Sequence, residues 1–336
     1  MKQKYGWSKY IIIVIILHII GVIGLVSSLP HHPVLLGMGV LAYTLGLRHA
    51  FDIDHIAAID NTVRKLVEQK SDPSGVGFFF SLGHSTVVFL LAIFTAFSVK
   101  FVKTNLPQMQ DIGGIIGTFV SGAFLVIIGL LNLIILVDII RVFKKMRKKT
   151  YQESELEQLL NSRGFLTRFV QPLFKFVNRS WHIYPIGFLF GLGFDTASEI
   201  ALLTLSAGAV QHALPFVGIL SLPILFAAGM SLMDTLDGAF MTSSYNWAFD
   251  KPVRKVYYNM TVTTISVFAA LFVGLLELTQ IVGEKLHLHS RLFNAINQLD
   301  LGDMGYILVI MFILVWGIAY FIWKYFNIEE KWSMHV

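Results

Sequence analysis

The chain holds about eight stretches of some twenty predominantly apolar residues, at 10–29, 34–58, 75–99, 112–140, 184–210, 215–243, 257–282 and 305–323. A helix of about 20 apolar residues crosses the hydrocarbon core of a bilayer, and backbone polar groups inside that core must be satisfied within the chain. The expectation is an all-α integral membrane protein: one polytopic domain over residues 1–336, with about eight spans and both termini on the same side. Composition agrees. Of 336 residues 55% are hydrophobic and 14% charged, against about 25% charged in soluble domains. The first run is followed by Pro30, His31 and His32 rather than a small-residue cleavage site, so it reads as a retained helix. Without cysteine, the chain has neither a disulfide framework nor a thiolate metal site.

Loops left on the cytoplasmic side carry the Lys and Arg excess. With the N-terminus inside, 21 of the 26 Lys and Arg residues fall on inner segments, four on outer ones and Arg48 within a span. The expected topology is therefore N-in, C-in. The longest inner segment, 141–183, opens with RVFKKMRKK and continues into ESELEQLL, which reads as a topology determinant with a short amphipathic surface helix.

Against this apolar background the second span carries LRHAFDIDHI, with Arg48, His49, Asp52, Asp54 and His55 inside eight positions. Each ionisable residue at the centre of a membrane helix costs about 2.5–3.5 kcal/mol on insertion scales, so five together need a compensating partner. That partner is inferred to be a metal ion. The third span adds FSLGHST with His84, the fifth GLGFDTASEIA with Asp195, Ser198 and Glu199, and the sixth SLMDTLDGAFM with Asp234 and Asp237. Asp195 and Glu199 are four apart, which on a helix places both carboxylates on one face. Four spans thus direct polar groups into the bundle.

These motifs pair off. Phe51-Asp52 and Ile56-Ala57 of the second span correspond to Phe194-Asp195 and Ile200-Ala201 of the fifth, and Ser-Leu-x-(His/Asp)-(Ser/Thr) is shared by the third and sixth, so that His84 corresponds to Asp234. The paired spans run in opposite directions, which makes spans 2–3 and 5–6 candidate inverted repeats; transporters built this way bind cargo near the midplane on interrupted helices.

At about 100° per residue, His49, Asp52 and His55 fall within an arc of about 120°, and Asp54 points away from it. Asp54 is then either a carboxylate that orients a ligand histidine or a direct ligand on an unwound helix. Arg48, four before Asp52, is placed to pair with it. Imidazole and carboxylate without sulfur suit nickel, cobalt, zinc or manganese and disfavour cuprous copper. Met38, Met230, Met233 and Met241 read as packing, His18 as a satisfied core histidine, and His31, His32, His212, His287 and His289 as solvated loop residues.

The series RHAFDxDHI, FSLGHST, LGFDTASE and LDGAFM, in this order on these spans, resembles the nickel/cobalt transporter family, above all the bacterial high-affinity nickel permeases. The resemblance runs from about the first span to the eighth. It implies an eight-span importer of nickel or cobalt in the bacterial cytoplasmic membrane. His49, Asp52, Asp54 and His55 match its signature proper, His84, Asp195, Thr196, Ser198, Glu199, Asp234 and Asp237 its supporting motifs, and Asn132 lies in a GLLN segment that the permeases also carry. Ile53, where the family often has alanine, bears on pocket size and so on the nickel-to-cobalt preference.

The chain has no GxxxxGK[ST] phosphate loop and is no ATP-driven motor. An interior-negative potential supplies about 4.6 kcal/mol per 100 mV to an inward divalent cation, twice the value for one charge, so secondary transport is sufficient. The metal is cargo rather than cofactor, and the expected partners are that ion and the lipid bilayer, with no nucleic acid. An integral-membrane metalloenzyme is the alternative, weakened by the lack of HExxH. A metal sensor would need an output domain, for which 141–183 is too short.

Overall fold

In a computed structural model the described residues are 6–97, 99–146, 177–192, 197–211, 214–249, 252–286, 290–291, 293 and 304–325. Among them there is no strand. The elements are α1 (Trp7–Ser28), α2 (Val34–His49), α3 (Ile53–Glu68), α4 (Val76–Phe97) and α5 (Val99–Met146). After a 3-10 turn (Ser180–Ile183) come α6 (Tyr184–Phe190), α7 (Ala197–Gln211), α8 (Phe216–Phe249), α9 (Pro252–Lys285) and α10 (Met304–Tyr325). Each apolar run read from the sequence falls on one of these helices or on a consecutive pair. Five of the helices are long and apolar enough to cross a membrane, and the bent pair α2–α3 makes a sixth candidate. Of the inner segment 141–183, residues 147–176 lie outside the described residues.

Helix α1 shows the two-solvent character of such a chain. Tyr10, Val14, Gly21 and Leu25 are buried along one stripe against α8, while its isoleucines, Ile12 and Ile23 among them, are exposed. An exposed apolar face of this length is expected where the surroundings are lipid.

The second span is not one helix. α2 ends at His49, Asp52 takes extended backbone with φ −63° and ψ 139°, and α3 starts at Ile53 with its axis turned by 53°. Short i→i+3 bonds close the break, from Phe51 N–H to Arg48 O and from Asp52 N–H to His49 O, both 3.0 Å. In the fifth span α6 ends in a turn at Gly191-Leu192 and α7 is described from Ala197 onward; Phe194-Asp195 lies between them, outside the described residues.

Glycines set the crossings of these spans with the continuous ones. A Cβ on Gly46 of α2 would strike the Phe226 carbonyl of α8, and one on Gly229 of α8 would lie 2.7 Å from the Tyr43 carbonyl of α2. Likewise Gly187 of α6 abuts the Phe80 carbonyl of α4, and Gly83 of α4 abuts the Tyr184 carbonyl of α6. The α2–α8 and α6–α4 crossings are the counterparts that a two-fold exchange of the two motif pairs requires.

Helix α3 is the centre of the bundle. Every residue from His55 to Val67 is buried, because α3 packs on α4, α5, α8, α9 and α10; a helix buried all round is a core helix. Arg64 and Lys65, counted as inner-loop cations from the sequence, are therefore inside the bundle at 0% and 2% exposure. α3 stops in a left-handed turn at Lys70 (φ 56°), with Ser71 N–H bonded to Leu66 O at 2.9 Å.

Candidate metal centre

The break between α2 and α3 folds His49 and His55 toward each other, with ring centroids 4.7 Å apart. α4 contributes His84, whose ring centre is 4.6 Å from His49 and 4.9 Å from His55. One ligand atom from each of the three lies within 4.8 Å of the others, and all three residues are buried. Among the described residues this is the one group of three or more possible metal-ligating side chains.

Each imidazole is backed by a carboxylate. Asp52 Oδ2 is 3.0 Å from His49 Nδ1, Asp234 Oδ2 of α8 is 3.3 Å from His55 Nδ1, and Glu199 Oε1 of α7 is 2.8 Å from His84 Nε2. Such partners fix the tautomer and the ring orientation of metal-binding histidines. His55 Nε2 and His84 Nδ1 have no hydrogen-bond partner although they are buried, which is costly unless a ligand takes them up. His49 Nε2 and His84 Nε2 are 2.9 Å apart. An ion held by both atoms would take the place of the Glu199 hydrogen bond at His84 Nε2 and bring that carboxylate to its edge. Phe80 packs edge-on to His55 at 4.8 Å and Phe226 lies 5.6 Å from His49. These apolar walls lower the local dielectric and strengthen the attraction between a cation and the three carboxylates.

Six residues expected from the sequence, His49, Asp52, His55, His84, Glu199 and Asp234, thus come together. Ser198 is buried beside Glu199. Asp54 is half-buried in the first turn of α3, acts electrostatically on His49 and Asp234, and its Oδ1 accepts a 2.9 Å hydrogen bond from His55 N–H. Arg48 is exposed on α2. Asp195 and Thr196 lie outside the described residues. Asp237 is one turn beyond Asp234 and is not in the histidine group. Asn132 of α5 donates instead to Asn61 Oδ1 on α3, deeper in the bundle. His18 bonds within the core, with Nδ1 2.8 Å from Val14 O and Nε2 3.3 Å from Tyr43 Oη. The four methionines pack in apolar clusters.

A second polar tier on α3 was not singled out by sequence reasoning. Asp60 accepts from Tyr245 Oη, which is 3.0 Å from Ser266 Oγ, and Arg64 donates from Nε and Nη2 to Glu68 at 3.2 and 3.0 Å. The available signal was the run of polar residues continuing from Asp60 to Arg64 at helical spacing past the apparent end of the second span.

The chain matches the family model described as high-affinity nickel-transport protein over residues 35–322. It belongs to that family. The nickel transporter NixA of Staphylococcus aureus is 60% identical over 99% of this chain and 98% of its own length. The high-affinity nickel-transport protein NixA of Helicobacter pylori (strain 26695) is 53% identical over 95% of this chain and 97% of its own. The cobalt transport protein NhlF of Rhodococcus rhodochrous is 40% identical over 90% and 88%. No solved structure matches the chain. The family resemblance carried by the four motifs therefore holds, and these relatives are named for transport, not for an enzymatic activity. The metalloenzyme alternative finds no support.

Proposed function

We propose that this chain is a secondary transporter that takes divalent nickel, with cobalt as the second cargo, inward across the bacterial cytoplasmic membrane. The observation that carries the reading is the convergence of His49, His55 and His84, each backed by a carboxylate, at the breaks and crossings of buried helices. Imidazole is a good ligand for nickel and cobalt, and the relatives reported above are named for those two metals.

In this reading the ion exchanges water for imidazole nitrogen at His49, His55 and His84, while Asp52, Glu199 and Asp234 hold the rings and offset the charge. Asp195 and Thr196 complete the site from the fifth span. Asp54 supports it through the first turn of α3. Arg48, Ser198 and Asn132 act outside the metal's own contacts. The direction is inward because the positive-inside rule still favours the N-in orientation: with Arg64 and Lys65 moved into the bundle, 19 inner cations stand against four outer ones. Membrane potential then pulls the cation in.

The test is accumulation of radioactive nickel by cells expressing the chain, with cobalt, zinc and manganese as competitors. Saturable uptake, suppressed by cobalt and lost on collapse of the membrane potential, is expected. Uptake no greater than in cells without the chain would overturn the reading.

A further inference from the structure

Below the histidine group, α3 and α8 continue side by side in the same direction. His55 meets Asp234, and five residues further along α3 Asp60 meets Tyr245. Asp237 lies between these levels, one turn past Asp234; it acts electrostatically on Asp234 and is itself acted on by Asp60. The helices are close at this level: a Cβ on Gly238, next to Asp237, would lie 3.7 Å from the side chain of Ile59, next to Asp60. One oxygen of each carboxylate, Asp60 Oδ2 and Asp237 Oδ2, is buried without a hydrogen-bond partner. Among the described residues no cation lies within salt-bridge distance of either aspartate: Arg64 acts on Asp60 electrostatically but directs its Nε and Nη2 to Glu68. Two carboxylates from adjoining helices with partnerless oxygens ask for a cation.

We propose that Asp60 and Asp237 form a second, all-oxygen station for the divalent cargo, one step further along α3 and α8 than the three histidines, with the Tyr245 hydroxyl holding Asp60 until the ion arrives. The inference rests on the transport reading above and deepens it. An ion held by imidazole nitrogen leaves only if a weaker stop follows, because passage needs binding strong enough to enter and weak enough to exit. Oxygen-only ligands provide that stop for nickel, whereas manganese accepts them readily. The tier thus has its own ligand class: a hard divalent cation bound by carboxylate oxygen.

The full chain, purified into lipid nanodiscs, tests this with two probes, nickel titration and the electron paramagnetic resonance spectrum of added manganese. The unaltered chain is expected to bind two nickel ions, one at least tenfold more weakly. His49→Ala should lose the tighter ion and keep the manganese signal. Asp60→Asn with Asp237→Asn should keep the tighter ion, which also shows that the variant is folded, lose the manganese signal, and slow uptake at least tenfold. Tyr245→Phe, which frees Asp60 without removing a charge, should tighten manganese binding about threefold or more. One nickel per chain in a protein that still carries nickel overturns the inner station alone. So does an unchanged manganese signal in the double variant, loss of both nickel ions there, or unchanged manganese affinity in Tyr245→Phe. A chain that neither binds nor carries nickel overturns the transport reading, and the station with it.

Discussion

Ser81 Oγ of α4 lies 2.9 Å from Ser231 Oγ of α8, and these two serines occupy the same place in the motif shared by the third and sixth spans. Equivalent residues of an inverted repeat touch each other only at the axis relating the halves. Three residues further on, His84 and Asp234, again equivalent, both enter the histidine site, so cargo would sit beside that axis, as in other transporters of inverted repeats. The same exchange relates Asp52 to Asp195. Asp195→Asn is therefore expected to weaken nickel binding to the purified chain by about as much as Asp52→Asn, in the 10–100-fold range found for carboxylates that support metal-bound histidines. Titration of both variants checks this; an Asp195→Asn chain with unaltered affinity would remove Asp195 of the fifth span from the site.

Two histidines on apolar helices give an internal contrast. His55 has Nε2 buried and partnerless beside two other imidazoles, whereas both nitrogens of His18 are taken by Val14 O and Tyr43 Oη. His55→Ala should abolish nickel uptake with the protein still in the membrane at normal abundance. His18→Ala should leave nickel affinity intact and lower stability by about 1–3 kcal/mol, mainly through the unpaired Tyr43 hydroxyl. Uptake assays paired with quantitative immunoblots of the membrane fraction separate the two outcomes.

The upper site was legible because a charge in an apolar run has few innocent explanations. His49, Asp52, His55, His84, Glu199 and Asp234 stood out against Leu, Ile and Phe. The break at 50–52 was less visible, since it contains neither proline nor glycine. The inner tier was missed for a physical reason. Hydropathy measures transfer into lipid, but α3 is enclosed by protein from His55 to Val67, where hydrogen bonds replace water. Asp60, Asn61, Arg64 and Lys65 consequently read as the start of a loop. Asn132 entered through the GLLN segment shared with the permeases, and nothing in that segment announces Asn61 as its partner.

The end of α3 offers a stability test. Lys70 occupies the left-handed region at φ 56°, in the position after a helix where glycine is common because a Cβ there is strained by about 1–2 kcal/mol. Lys70 is exposed, so its side chain gives little in return. Lys70→Gly should raise the thermal midpoint of the detergent-solubilised protein by a degree or more, equivalent to about 0.5–1 kcal/mol, without altering nickel affinity. An equal or lower midpoint would show that the lysine contributes something its local geometry does not reveal.

Glycine crossings are where stability and site geometry meet. Gly83 precedes His84 and abuts the Tyr184 carbonyl, and Gly46 lies three residues before His49 and abuts the Phe226 carbonyl. A methyl group at either place has only backbone to displace, so α4 must move from α6, or α2 from α8. Overpacking of this kind costs about 1–3 kcal/mol or more, and the displacement carries the adjacent imidazole with it. Gly83→Ala and Gly46→Ala are expected to lower the thermal midpoint by several degrees and to weaken nickel binding at least tenfold. Gly37 of α2 and Gly317 of α10 have nothing within 4 Å of an added Cβ, and there alanine should be neutral or stabilising by up to about 1 kcal/mol through helix propensity. If all four substitutions behaved alike, the close crossings would not be what holds the three histidines together.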